Sequence, residues 1–256
     1  LTVASYLKET GKLELLDEVI PFYEAGKKRA DREKGTVLEH LKRSLNFTRT
    51  HLGKNKLPLL GFADWNDCMN LPLGAESSFN AGLYAKALLE MMDICETLGD
   101  KKSVKMYKGW YEDIKKAFND AAWDGKWWIR WFDKEGNAYG THKAKYGKIY
   151  CNSQSWSVMS GIAYGERAVM GMDSLNQLLN TANGVKSSTP GYRGFDGRVG
   201  GISTYPPGAK ENGGIFLHTN PWVMIAETIL GRGDKAFQYY NQINPASKNE
   251  KLDEFE

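Results

Sequence analysis

The stretch SSFNAGLYAKALLEMMDICETLGDKKSVKMYKGWYEDIKKAFNDAA, residues 77–122, decides the fold class. Ser77 or Ser78 offers a side-chain oxygen to the free N–H groups of a helix start. Leu83, Ala87, Leu88, Met91 and Ile94 then recur at helical spacing to about Leu98. Gly99 suits the left-handed residue that commonly ends a helix. A second helix is expected from Lys101 to Ala122, with Val104, Tyr107, Tyr111, Ile114 and Phe118 on one stripe. Two long amphipathic helices joined by so short a break make an αα-hairpin.

The same pattern continues outward. Gly35 to Leu52 carries Val37, Leu38, Leu41, Leu45 and Phe47 near helical spacing, with Gly53 as the stop. A helix is expected from Gly165 to Leu179. Near the other end Asn220 reads as an N-cap and Pro221 as the first helical residue of a segment running to Leu230. Gly231-Arg232-Gly233-Asp234 breaks that helix, and Lys235 to Ile243 begins another. One β element interrupts: Lys126 to Phe132 is expected as a strand, Asp133 to Asn137 as a turn, and Ala138 to Gly140 as the return. Residues 183–217 are rich in Gly, Ser and Pro, and their aromatics argue against disorder. The expected class is mainly α, built of stacked αα-hairpins in one domain over residues 1–256, with a small β-hairpin inserted. No fixed repeat marks a solenoid.

Composition narrows the function. The 256 residues carry 34 basic and 31 acidic side chains, a net +3 that is too balanced for a nucleic-acid footprint. Cys68, Cys95 and Cys151 have no metal-ligand spacing, and their odd number argues against a disulfide framework. No apolar run reaches membrane-span length, and no signal peptide is evident, so a cytoplasmic location is the default. The absence of an initiating Met suggests a piece of a longer chain. Dinucleotide, phosphate-loop, nucleophile-elbow and paired-histidine motifs are missing, and neither cofactor nor metal is expected.

Three constellations carry chemistry. In Gly61-Phe62-Ala63-Asp64-Trp65-Asn66-Asp67-Cys68 a carboxyl can move a proton, an indole can stack on a pyranose and an amide can read hydroxyls. The same residues also read as a turn whose Asp and Asn bond their own backbone. Asp67 is the candidate general acid, expected in a partly buried aromatic setting that keeps it protonated. The second stretch runs from Tyr205 to Trp222, where Tyr205 and Glu211 can bind hydroxyls. There His218 precedes a helix start that favours an anion. Read blandly, it is a cap, a loop histidine and a Gly213-Gly214 turn. The third, Trp123-Asp124-Gly125-Lys126-Trp127-Trp128 with Gln154-Ser155-Trp156, fits core packing better than a cleft border.

Taken in order, Gly61 to Asp67, Trp123-Asp124-Gly125, Gln154 to Trp156, Tyr205 to Gly214, His218 to Trp222 and Leu230 to Phe237 resemble glycoside hydrolase family 94, the inverting disaccharide phosphorylases. The resemblance covers essentially the whole chain. It implies an (α/α)6 barrel, incomplete here, since pattern reasoning finds about nine of the twelve helices needed. It implies Asp67 as general acid; Trp65, Tyr205 and Glu211 at the sugar; Asp64 in a hydroxyl-binding or loop-shaping role; and His218 on phosphate. Inorganic phosphate is then co-substrate and nucleophile, so no base carboxylate is required. A β-linked glucose disaccharide of the cellobiose type is the expected substrate, and a homodimer the expected full-length assembly. The family's phosphate-binding arginine would precede residue 1, and its later Gln and Thr-Gly contacts would follow Glu256. A chain of this extent is therefore expected to be inactive alone, to expose apolar helix faces and to associate. Two other readings stay open: an inverting hydrolase with Glu211 as base, and an inactive carbohydrate-binding fragment.

Overall fold

The computed structural model describes residues 1–249. It forms two compact units, Leu1–His51 with Lys86–Glu112, and Leu52–Ala85 with Asp113 onward. Among the described residues the chain has eight α-helices and nine very short strands. No helix there is long and apolar enough to cross a membrane.

The first unit holds α1 (Thr2–Thr10), the antiparallel pair β1 (Val19–Pro21) and β2 (Lys34–Thr36), and α2 (Val37–Thr50). It also holds parts of α3 (Ser78–Thr97) and α4 (Lys101–Ala121). Thr36 caps α2 by accepting from the Glu39 N–H at 3.1 Å, which satisfies one of the donors a helix start leaves free. α2 is shorter than the sequence suggests: His51, not Gly53, closes it. Val37 and Leu45 are buried, whereas Phe47 lies exposed and stacks on His51 at 3.9 Å. The break between α3 and α4 is as expected, with Gly99 left-handed at φ +73°. Tyr107, Tyr111, Ile114 and Phe118 are all buried along α4. Each such side chain removed from water contributes roughly 1.5–3 kcal/mol before entropy is counted.

The second unit holds every residue with candidate chemistry. β3 (Glu76–Ser77), β4 (Trp131–Phe132) and β5 (Ala138–Tyr139) form a three-stranded antiparallel sheet. β6 (Ile149–Tyr150) leads into α5 (Cys151–Met159), followed by α6 (Gly165–Leu179). β7 (Asn180–Thr181) pairs with β8 (Gly184–Val185), and β9 (Ser188–Thr189) pairs with β6. α7 (Asn220–Ile229) and α8 (Gly233–Ile243) complete it. Leu60, Met69, Leu71, Trp131, Tyr150, Tyr192, Val199 and Ile202 form a core beneath the loops.

Three expectations change here. The strand foreseen from Lys126 shrinks to Trp131–Phe132 because side chains claim the backbone before it. Asp124 Oδ1 accepts from the N–H groups of Lys126 and Trp127, and Gln154 Oε1 from that of Trp128 at 3.0 Å. Asn220 does not cap α7 but is its first residue. Its amide instead spans to β8, accepting from Val185 N at 2.7 Å and donating to Phe216 O at 2.8 Å. Finally, α5 was not foreseen as a helix. Its sequence CNSQSWSVM is polar, yet every residue from Cys151 to Val158 is buried. Two serine hydroxyls donate within the helix, Ser155 to Cys151 O at 2.9 Å and Ser157 to Gln154 O at 2.8 Å, and Ser153 donates outside it to Trp128 O at 3.1 Å. Gly82 lets α5 approach α3, since a Cβ there would stand 3.1 Å from Trp156.

Candidate active site

The loop Asp64–Cys68 is both a turn and a platform. Asn66 N–H donates to Asp64 Oδ1 at 2.9 Å, and Cys68 N–H donates to Asn66 Oδ1 at 3.3 Å. These successive side-chain turns are what Asp and Asn favour locally. They leave Asp67 exposed on the outside of the bend.

Asp64 lies under the loop with its side chain wholly buried. Arg130 donates to both its oxygens at 2.7 and 2.8 Å, Ser77 Oγ donates at 2.6 Å and Trp131 Nε1 at 3.1 Å. Burial alone would push this carboxyl up, but the Arg130 charge and hydrogen bonds outweigh it and hold it below the ordinary carboxylate range. The guanidinium stacks 3.8 Å over the Trp131 ring. With its oxygens engaged and no surface, Asp64 cannot meet a sugar hydroxyl; of its two expected roles, the geometry fits loop shaping. Arg130 was missed by sequence reasoning; Ser77 does cap α3 as expected, accepting from Asn80 N–H at 3.1 Å, but its bond to Asp64 was not foreseen. The signal was present: a lone charge inside Trp127-Trp128-Ile129-Arg130-Trp131-Phe132 requires a buried partner. Gly140, at φ +89°, allows the return strand past Arg130, where a Cβ would meet the Arg130 backbone N at 2.9 Å.

Above the bend, Cys68 Sγ lies 3.3 Å from Asp67 Oδ1 and 3.4 Å from the Tyr205 hydroxyl. The Cys68 contact, with the nearby carboxylates, pushes the Tyr205 hydroxyl up to about 12, so it stays protonated. Asp67, Cys68 and Glu211 bring their ligand-type atoms within 4.8 Å of one another. Among the described residues they are the group able to approach a metal, though a soft thiolate and hard carboxylates suit different ions. Glu211 Oε2 is buried without a hydrogen-bond partner, an orphan that calls for a donor. Asp67 is exposed rather than partly buried as expected, with Cys68 at its carboxylate.

Those aromatics gather around Trp65. Its Nε1–H donates to His218 Nε2 at 2.5 Å. Phe216 meets the Trp65 ring edge-on at 5.3 Å and Trp222 at 6.0 Å. Trp222 continues to Trp156 at 5.5 Å and Phe79 at 6.0 Å. The packing role expected for Trp156 therefore holds. Asn212 secures the Tyr205–Gly214 loop from inside, accepting from Tyr192 N at 2.6 Å and donating to Tyr205 O at 2.7 Å. The structure thus gathers Asp67, Tyr205 and Glu211, pairs Trp65 with His218 beside them, and sets Asp64 below.

Residues 1–256 match the family model described as "Glycosyl hydrolase 94 superfamily, catalytic domain". Among curated relatives, the chain is 34% identical over 251 residues to N,N'-diacetylchitobiose phosphorylase of Vibrio proteolyticus, covering 97% of this chain and 30% of that protein. It is 33% identical to solabiose phosphorylase of Paenibacillus borealis, covering 96% of this chain and 32% of the relative. It is 27% identical to cellobionic acid phosphorylase of Neurospora crassa, covering 96% and 31%. The chain thus spans about a third of the length of these relatives. A solved structure titled "Sialidase" shares its fold at a TM-score of 0.60 and 10% identity, over 80% of this chain and 19% of that one.

Proposed function

Because the chain belongs to the glycosyl hydrolase 94 superfamily, we propose that it forms part of an inverting disaccharide phosphorylase. Asp67 is the general acid. It passes a proton to the glycosidic oxygen as the bond from that oxygen to the anomeric carbon breaks. A phosphate oxygen forms the new bond to the anomeric carbon from the opposite face. A β-linked disaccharide then yields an α-sugar 1-phosphate and a free sugar, cellobiose giving α-glucose 1-phosphate and glucose. Trp65 carries the ring, Tyr205 and Glu211 read hydroxyls, and His218 touches phosphate. Phosphate is the co-substrate, with no resident cofactor or metal. The fold proposed is part of a single catalytic (α/α)6 barrel domain, and the full-length assembly is a cytoplasmic homodimer.

The observation that carries this reading is the family match over residues 1–256. A carboxylate oxygen of Asp67 and one of Glu211 also lie within 4.8 Å, whereas an inverting hydrolase separates acid and base by roughly 6.5–9.5 Å to admit water. Glu211 is thus badly placed as a hydrolytic base, and its orphan oxygen suits a sugar hydroxyl. Relatives named for chitobiose, solabiose and cellobionic acid agree on phosphorolysis and differ in the sugar. The test supplies each of these sugars, and cellobiose, with and without phosphate, to a protein carrying this chain in the family's full catalytic length. Phosphate-dependent release of an α-sugar 1-phosphate is expected. Sugar cleavage that proceeds equally without phosphate overturns the reading.

A further inference from the structure

The contact between Trp65 and His218 carries more than packing. An indole nitrogen can only donate a hydrogen bond. His218 Nε2, 2.5 Å from Trp65 Nε1, must therefore present its lone pair, and the ring proton belongs on Nδ1. Three rings flank the exposed imidazole: Phe216 edge-on at 5.6 Å, Trp222 edge-on at 5.5 Å and Trp65 tilted at 5.3 Å. A half-turn of the imidazole would replace Nε2 by a carbon and lose the bond. We propose that Trp65 is a positioning residue that fixes His218 as its Nδ1–H tautomer, so that the nitrogen offered to an oxyanion is Nδ1. The site then recognises the oxyanion through one directed N–H. The indole face assigned to the sugar and the nitrogen assigned to the anion become one mechanical unit. The last two statements rest on the proposed function; the tautomer itself does not.

The tautomer is read directly by two-bond ¹⁵N–¹H correlation on the chain labelled with ¹⁵N-histidine, with the His218 signals identified by their loss in His218→Asn. The Nδ1–H pattern is expected for His218. Trp65→Phe, which keeps a ring but removes the donor, is expected to return His218 to the Nε2–H form that free imidazole side chains favour. An Nε2–H pattern in the unaltered chain overturns the proposal. Two isosteric variants test the anion contact, with inorganic phosphate as the probe in a full-length family context. Asn places its amide N–H near the Nδ1 position and Gln near Nε2. His218→Gln should raise the KM for phosphate about tenfold or more above that of His218→Asn, as expected for losing a hydrogen bond to a charged group. Equal losses in both variants overturn the Nδ1 assignment. An unchanged KM in both removes His218 from the phosphate site and so counts against the proposed function, while the spectrum still decides the tautomer.

Discussion

At the residue scale the loop around Asp67 separates chemistry from support. Asp67 is exposed and Asp64 is buried, so substitutions at the two should fail in different ways. Asp67→Asn removes the proposed proton donor from an exposed position, in a full-length family context. It should lower kcat by about 10²–10⁴-fold, the usual worth of a general acid, and leave the unfolding midpoint unchanged. Retained activity would release Asp67 from its role. Arg130→Met instead strands the Asp64 carboxylate and should destabilise by about 3–5 kcal/mol in urea unfolding. Adding Asp64→Leu should recover part of that loss, because two apolar groups replace the pair. Asp64 also predicts a pH dependence. Its folded value lies below the ordinary one, so its contribution is present above the unfolded range near 3.9 and fades as pH falls through the folded value. The stability gap between the unaltered chain and Asp64→Asn should therefore be full at pH 7 and narrow steadily below about pH 4. A gap constant with pH would disprove the ionised pair. Glu76 and Glu227 shift upward through burial and act in the opposite sense, so the comparison with a variant is needed to isolate Asp64.

At the element scale, α5 is the test of packing against pattern. Its buried face fits against α3 only because position 82 lacks a side chain, and Trp156 leaves no room for one. Gly82→Leu should cost roughly 1–3 kcal/mol or more through overpacking, measured by thermal unfolding. Gly99→Leu, placing a side chain at a left-handed φ of +73° in open space, should destabilise through backbone strain alone. α5 also shows why the hairpin at 126–140 was only partly legible. Its Gln154 takes the Trp128 N–H at 3.0 Å, a partner 26 residues away that no local propensity contains. The helices α4 and α6 were legible because each buries one stripe, and a stripe is written in the spacing of its own residues; α3 is buried on several sides, with Leu83 and Ala87 only half-buried.

At the scale of the whole chain, apolar side chains remain on the surface of late helices. Ile225 and Ile229 are 45% and 56% exposed on α7, and Phe237 is 64% exposed on α8. Contiguous exposed apolar surface favours association. Sedimentation of the 256-residue chain should therefore show an average mass that rises with concentration, and Ile229→Lys with Phe237→Lys should reduce the rise. A sharp monomer at all concentrations would contradict this. The site's residues come from four separated places, residues 64–68, 77, 130–131 and 205–222, all within the second unit.

What the amino-acid order determined by itself was the helical class, the break at Gly99 and the local turn of the Asp64–Cys68 loop. These are local periodicities and short motifs, so their information lies within a few residues of one another. Tertiary structure alone decided that Asp64 answers Arg130 rather than a sugar, that Asn220 braces a strand rather than capping a helix, and that the polar segment Cys151–Met159 is a buried helix. It also decided that Trp65 Nε1 faces His218 Nε2 across 153 positions of sequence. Each of these depends on a polar atom finding its partner, and all but the exposed Trp65–His218 bond do so away from water. That partner is chosen by what the fold brings within about 3 Å, the reach of a hydrogen bond, and not by proximity along the chain.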